Sequence, residues 1–270
     1  MTSNRRNVII FGETGAGKSS LINLLSGQDL AKVSSAAAGC TFATDAYDFE
    51  LGGEPFRLFD TVGLNEGDNG TVSAKDAIVN LYKLICSLDD GVALLIFCFR
   101  APRIKDATVN NYQMFYSEFC QKQVPIIIAV MGLEDEENME AWWTKNNGAF
   151  SAHHMTFNGH VCGTGKKGKR DMYLTEYNET KAQLTSLVIK ESMQTPWKKE
   201  RRRWFKEATK GFFSVLKAPL DWVKQFYDTM LCGALEKYAN LSKEEAAKLT
   251  GNTEMDLTQT LKAAVDDSSS

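Results

Sequence analysis

Residues 6–19 read R-N-V-I-I-F-G-E-T-G-A-G-K-S: an apolar run that stops at Gly12 and opens into the pattern G-x-x-x-x-G-K-[ST]. The run 6–11 is short, rich in Val and Ile and bounded by glycine, which predicts a buried strand. From residue 17 to about 26 the apolar residues take helical spacing, so the pattern sits between a strand and a helix. Glycines there let successive backbone N–H groups turn toward an anion at a helix N-terminus that already favours negative charge. Gly12, Glu13, Thr14, Gly15, Ala16, Gly17, Lys18, Ser19 and Ser20 are therefore the candidate phosphate cradle. Lys18 would bridge the β- and γ-phosphates, and the Ser19 hydroxyl would ligate Mg²⁺.

Working outward, apolar runs alternate with helical patterns over roughly the first 190 residues, the mark of an α/β fold with a mainly parallel sheet. Residues 45–51 and 56–59 flank Gly52-Gly53 and predict an antiparallel hairpin. Helices are predicted over 73–88, 106–121, 138–146 and 178–193. Strands are predicted over 92–99, from 125 to 130 and, weakly, at 160–162. Pro196-Trp197 marks a change of composition, which divides the chain into residues 1–195 and a helical extension over 196–270. In the extension, Leu220, Val223, Tyr227, Met230, Ala234, Tyr238 and Leu241 form one apolar stripe at helical spacing. Ser242-Lys243-Glu244-Glu245 reads as a capping box that starts a further short helix.

The 270 residues, 43% hydrophobic and 24% charged, suit a globular protein and exclude a collagenous or low-complexity chain. The longest unbroken apolar run, 92–99, falls short of the roughly 20 residues a membrane-spanning helix needs. The first residues and Thr2 speak against a secretory leader and N-myristoylation. Six scattered cysteines without C-x-x-C or zinc spacing are expected as reduced core thiols of a cytoplasmic protein. The net charge of −3 hides a basic run: residues 194–217 hold eight Lys or Arg against two Glu. Trp197, Trp204, Phe205, Phe212 and Phe213 are interleaved with it. Two readings stay open there, a helix packed on the domain over 1–195 with its charges in water, and a peripheral membrane or protein contact. Nucleic acid is not an expected partner, because the rest of the chain is acidic.

The second element of the site is Phe56-Arg57-Leu58-Phe59-Asp60-Thr61-Val62-Gly63. An acid at the end of an apolar strand can hold magnesium through water, and Asp-x-x-Gly places the Gly63 N–H at a γ-phosphate. Between the two motifs, Gly39-Cys40-Thr41 follows a run of small residues suited to a switch loop. Thr41 is the candidate second magnesium ligand, which makes Ser19, Thr41 and Asp60 the expected metal set. Lys18, Thr41 and Gly63 are the expected catalytic groups.

With these residues quoted, N-V-I-I-F-G-E-T-G-A-G-K-S-S-L-I-N-L-L, G-C-T-F, F-D-T-V-G-L and P-I-I-I-A-V-M-G-L-E together resemble the avirulence-induced, immune-associated (IMAP-like) GTPases. The likeness is to the fungal G-domain proteins of that group, in the septin-like branch, and it runs from residue 7 to about 204. It implies a P-loop NTPase (GTPase G-domain) three-layer fold with a six-stranded, mostly parallel sheet and one antiparallel edge strand. It also implies GTP/GDP and Mg²⁺ as ligands and a homodimer formed across the nucleotide face.

Two positions depart from that pattern. The guanine-specificity motif, usually Asn/Thr-Lys-x-Asp, is Met131-Gly132-Leu133-Glu134. Glu134, or Asp135 beside it, can still accept from the guanine N1–H and N2–H, but the lysine stem over the base is absent. After Asp-x-x-Gly stands Leu64, where a water-orienting Gln is common, so slow hydrolysis is expected. Arg100 and Arg103 follow a strand end but are distant in sequence from the phosphate loop, and neither can be named an arginine finger. Two further readings remain: a hydrolysis-deficient scaffold, favoured by Leu64 and Met131, and a P-loop kinase or ATPase, disfavoured by the Thr-x-Gly after Asp60. His160 and Cys162-Gly163-Thr164 fall where the last base-contacting loop belongs. His153, His154 and His160 lack metal spacing and are read as polar loop residues. The basic loop 166–170 is read as chiefly solvated.

Overall fold

The computed structural model describes residues 5–31, 44–61, 74–215, 235–236 and 241–249. The chain divides into two compact units, Met1–Glu66 with Leu88–Lys198, and Gly67–Ser87 with Lys199–Ser270.

The first unit holds a six-stranded sheet built from β1 (Arg6–Phe11), β2 (Thr44–Leu51), β3 (Glu54–Thr61), β4 (Leu94–Arg100), β5 (Ile126–Met131) and β6 (Gly159–Gly163), in the order β2-β3-β1-β4-β5-β6. β2 and β3 pair antiparallel around Gly52-Gly53, and every other pairing is parallel. This is the α/β architecture expected, with the antiparallel strand at the edge. Parallel strands must be covered on both faces, and β1 and β5 are accordingly buried from end to end. On one face, Val8, Ile10, Ile96 and Ala129 pack with Leu21, Ile22 and Leu25 of α1 (Lys18–Ser26) and with Leu184 and Val188 of α5 (Leu174–Glu191). On the other face the core is aromatic. Phe11 stacks on Phe97 and on Phe115, and Phe99 meets Trp142 and Phe150.

The expected elements shift at four places. Val92 leaves the strand predicted over 92–99, because its N–H and C=O pair with Trp197 instead of the sheet, both at 2.9 Å. The helix predicted over 106–121 splits into α3 (Asp106–Tyr112) and a π-helical stretch, Gln113–Phe119. Its wider turn leaves Met114, Phe115 and Phe119 all buried. α4 (Met139–Ala152) is capped by Asn138, and it runs beyond the predicted end at 146 and past Gly148 because Phe150 is anchored between Trp142, Trp143 and Phe157. α5 begins four residues before the predicted start.

In the second unit lie α2 (Ala74–Ser87) and α6 (Arg201–Val215). Tyr82 meets Phe205 edge-on with ring centres 5.2 Å apart. Trp204, Phe205, Phe212 and Phe213 are buried, whereas Arg201, Arg202, Arg203 and Lys210 are exposed. Along α6 the rings therefore face inward and these four cations outward, as in a packed helix. The Ser242–Glu245 capping box forms, with the Ser242 hydroxyl donating to the Glu245 carboxylate at 2.7 Å and the Glu245 N–H returning to Ser242 at 3.2 Å. Of the apolar stripe over 220–241, all but Leu241 lies outside the described residues. Among the described residues no helix is long and apolar enough to cross a membrane.

Candidate functional site

The carboxyl ends of the parallel strands share one edge of the sheet, where loops collect and ligands of open α/β sheets bind. β1 delivers its chain there through Gly12, whose φ is +146°. A Cβ at this position would sit 2.1 Å from the Cys98 carbonyl oxygen of β4, so only glycine fits. The Cys98 thiol in turn donates to the Ala16 carbonyl at 3.2 Å, which ties the middle of the loop to the same strand. Burial pushes that thiol up to about 12, so it stays protonated and serves as a strut.

Lys18 is buried, and its ammonium donates to the carbonyls of Gly12 at 2.8 Å and Glu13 at 3.0 Å. Gly17, the N-cap of α1, has φ 103° and no side-chain cap, so the first-turn N–H groups are left to an incoming acceptor. A buried cation held by two carbonyls at the positive end of a helix dipole is a fit for phosphate oxygens. Ser19 lies on the first turn of the same helix, half-buried. Asp60 is the penultimate residue of β3, beside Ile10 of β1, and the hydroxyl of Thr61, which ends the strand, donates to the Ile10 carbonyl at 2.9 Å. Thus Lys18, Ser19 and Asp60 converge on one end of the sheet; Thr41 and Gly63 lie outside the described residues.

Glu13, a variable position of the pattern, is the loop's outward anchor. Its carboxylate takes the Lys105 ammonium at 3.2 Å and the Thr108 hydroxyl at the start of α3. A cavity of about 410 Å³ opens there, with residues 13–16 of the loop on one wall and residues 97–103 on the other. Arg100 and Arg103, distant in sequence from the phosphate loop, both line it.

The base side is built at the ends of β5 and β6. Met131 is buried, and a Cβ on Gly17 would touch it at 3.4 Å, so this methionine floors the loop. Its thioether end also reaches Gly165, where a Cβ would lie 3.3 Å from the Met131 Cε and 2.7 Å from the Ser20 Cβ. The loop after β6 therefore lies directly against α1. From that loop Lys166 donates to Glu134 Oε1 at 2.9 Å. The Glu134 side chain is only 9% exposed, and its Oε2 is buried with no hydrogen-bond partner. Burial raises this carboxyl, but Lys166, its own backbone N–H and the Thr164 hydroxyl outweigh it and hold the group below the ordinary carboxylate range. Asp135, the other candidate acid, is exposed and accepts from the Tyr173 hydroxyl at 2.7 Å.

Thr164 lies in the stretch expected to contact the base, whereas Lys166 is the residue that sequence reasoning missed. The basic run at 166–170 hid it, although a Thr-Gly-Lys directly after a short strand was the available signal. Lys167 lies over the Tyr177 ring at 5.2 Å, and residues 166–170 are all exposed, in keeping with a solvated basic loop. His160 stacks on Trp143 and pairs with Glu140 three residues before the strand end, away from Glu134. Among the described residues no group of three His, Cys, Asp or Glu is arranged to hold a metal ion.

Residues 7–131 match the family described as 50S ribosome-binding GTPase. The chain has the α/β fold of a P-loop GTPase G domain. A segment of 62 residues, 23% of the chain, is 45% identical to the tRNA modification GTPase MnmE of Zymomonas mobilis and covers 14% of that protein. Among solved structures, the G domain resembles a variant of Aquifex aeolicus Era bound to GDP·AlF4⁻, with 18% identity and a TM-score of 0.52 over 72% of this chain and 59% of that one. Toc33 of Arabidopsis thaliana in complex with GDP and Mg²⁺ gives 17% identity and a TM-score of 0.49 over 71% of this chain and 88% of that one. The family match and the likeness to Era support the fold of the G domain. The phosphate loop, Asp60 and Glu134 occupy the strand ends at which a doubly wound sheet takes its ligand.

Proposed function

We propose that the protein binds GTP and GDP with Mg²⁺ and acts as a nucleotide-controlled switch with slow intrinsic hydrolysis. The observation that carries the guanine reading is the buried Glu134 carboxylate, with one oxygen held by Lys166 and the other an unpaired acceptor. A buried ionised acceptor is costly unless it is met by donors, and the guanine N1–H and N2–H are a matched pair of them. Thr164, Gly165 and Lys166 would close the loop around that base edge. Lys18 and the uncapped first turn of α1 would hold the phosphates. Ser19 and Asp60, with Thr41, would hold Mg²⁺, which supplies neutralisation of phosphate charge when bound. Leu64 cannot orient a water molecule by hydrogen bonding, which is the reason slow turnover belongs to the reading.

Titration with GDP and ADP, with and without Mg²⁺, tests it. Tight, guanine-selective binding is expected, lost in Lys18→Ala; equal affinity for both bases would overturn the role given to Glu134. The avirulence-induced branch and nucleotide-dependent self-association across the nucleotide face are the finer part of the proposal, and they rest on the quoted motifs. Light scattering that gives a monomer with GDP and with a non-hydrolysable GTP analogue alike would refute the dimer.

We further propose the division into a G domain over 1–195 and a helical extension over 196–270. The exposed Arg201, Arg202 and Arg203 of α6 supply a positive face for an acidic protein or membrane surface. Its rings are packed away, so such a contact is electrostatic and should weaken as salt rises.

A further inference from the structure

Gly132 stands second in Met131-Gly132-Leu133-Glu134, at the position where the usual motif has its lysine. Its φ is +87°, and a Cβ built on it would lie 3.3 Å from the Arg100 Cζ and 3.5 Å from Arg100 Cγ and Nη2. The space in which a side chain at 132 would start is thus taken by the Arg100 guanidinium. Strand register puts it there. Arg100 ends β4 opposite Met131 of β5, and the Ala101 N–H donates to the Met131 carbonyl at 3.3 Å. Arg100 is exposed, and it lines the same cavity as residues 13–16 of the phosphate loop.

We infer that Arg100 replaces, from β4, the missing lysine of the base site: its guanidinium plane carries the face of the purine while Glu134 reads the edge. A guanidinium suits this role, being planar, weakly hydrated and prone to stack on aromatic rings. Gly132 is then a glycine because a side chain there would displace the arginine. The division of labour is specific. Stacking is indifferent to exocyclic groups, so Arg100 contributes affinity for the ring, whereas Glu134 contributes the choice of ring. The inference rests on the base-site reading above and adds a residue to it.

Calorimetric titration of the full chain with Mg²⁺ separates the contributions, using GDP, IDP (which lacks the 2-amino group) and tripolyphosphate (which lacks the base). Arg100→Ala should weaken GDP and IDP by the same factor, about 5- to 100-fold, the range of one base-stacking contact. Binding of tripolyphosphate should stay unchanged, and that constancy is a readout a merely structural role would not leave intact. Unaltered GDP affinity would overturn the inference. So would an equal loss for tripolyphosphate, which would make Arg100 a phosphate ligand, or a loss confined to GDP, which would make it an edge reader. If Arg100→Ala melts below the assay temperature, Arg100→Lys gives the same comparison, because it keeps the charge without the plane; a loss of about 3- to 10-fold is then expected. A wild-type protein that binds GDP no better than tripolyphosphate would remove the base site itself. A wild-type protein selective for GDP with an indifferent Arg100→Ala would remove only Arg100.

Discussion

Replacing Gly12 by alanine should break the phosphate loop from beneath, and the structure sets the size of the effect. The new Cβ would lie 2.1 Å from the Cys98 carbonyl oxygen, whereas carbon–oxygen approaches of about 3.3 Å are ordinary. The loop must therefore retreat from β4 by about 1 Å, or hold its place at φ +146°, a region essentially closed to side chains at a cost of about 1–3 kcal/mol. Retreat pulls on the Cys98–Ala16 contact at 3.2 Å and on the Lys18–Gly12 contact at 2.8 Å. Ligand groups tolerate only about 0.5 Å of misplacement, so GDP affinity should fall at least about 30-fold, the loss of one or two charge-assisted hydrogen bonds. A loss of about 2–3 kcal/mol in stability should lower the melting temperature by about 4–10 °C. The internal control is Gly15→Ala, where φ is +75° but no atom lies within 4 Å of the added Cβ; only the left-handed penalty of about 1–2 kcal/mol applies there. Circular-dichroism melts and calorimetric titration of both variants give the comparison. If Gly12→Ala is no less stable than Gly15→Ala and binds GDP as the wild type does, the close approach of β4 does not shape the loop.

The pH dependence of guanine binding follows from Glu134. Its carboxyl is lowered in the folded protein, so the favourable charge is present above the ordinary carboxylate value and is lost only as pH falls through the lower folded one. Selectivity for GDP over ADP should be flat from pH 8 to about 5 and decline only in more acid solution. A decline that begins near pH 6.5 would assign the effect to a histidine instead. In the second unit, Phe205 is fully buried and meets Tyr82 at 5.2 Å. Phe205→Ala should cost about 3–5 kcal/mol, the usual range for a buried phenylalanine. Denaturant melts showing under about 1 kcal/mol would refute the packing of α6 through its aromatic side.

The strand, turn and helix around residues 6–26 were legible because each signal there is local. A short apolar run, glycines at the turn and a 3.6-residue period need no knowledge of the rest of the chain. The same holds for the hairpin at Gly52-Gly53 and for the capping box at Ser242. Boundaries failed where a distant contact outbid local preference. Trp197 drew Val92 off its strand, and Phe150 carried α4 past Gly148 because burying an aromatic ring outweighs one helix-breaking residue.

By itself, then, the sequence determined the phosphate loop, the parallel α/β class and the acids at the strand ends, because each signal is written in short local stretches of the chain. Tertiary structure decided how the base side is built. Lys166 reaches Glu134 across 32 positions and Lys105 reaches Glu13 across 92, while Arg100 lies over Gly132 only because β4 and β5 are paired in one register. In a parallel sheet every strand brings its carboxyl end to the same edge, so residues from remote loops become neighbours there. No periodicity in the chain records which of them will touch.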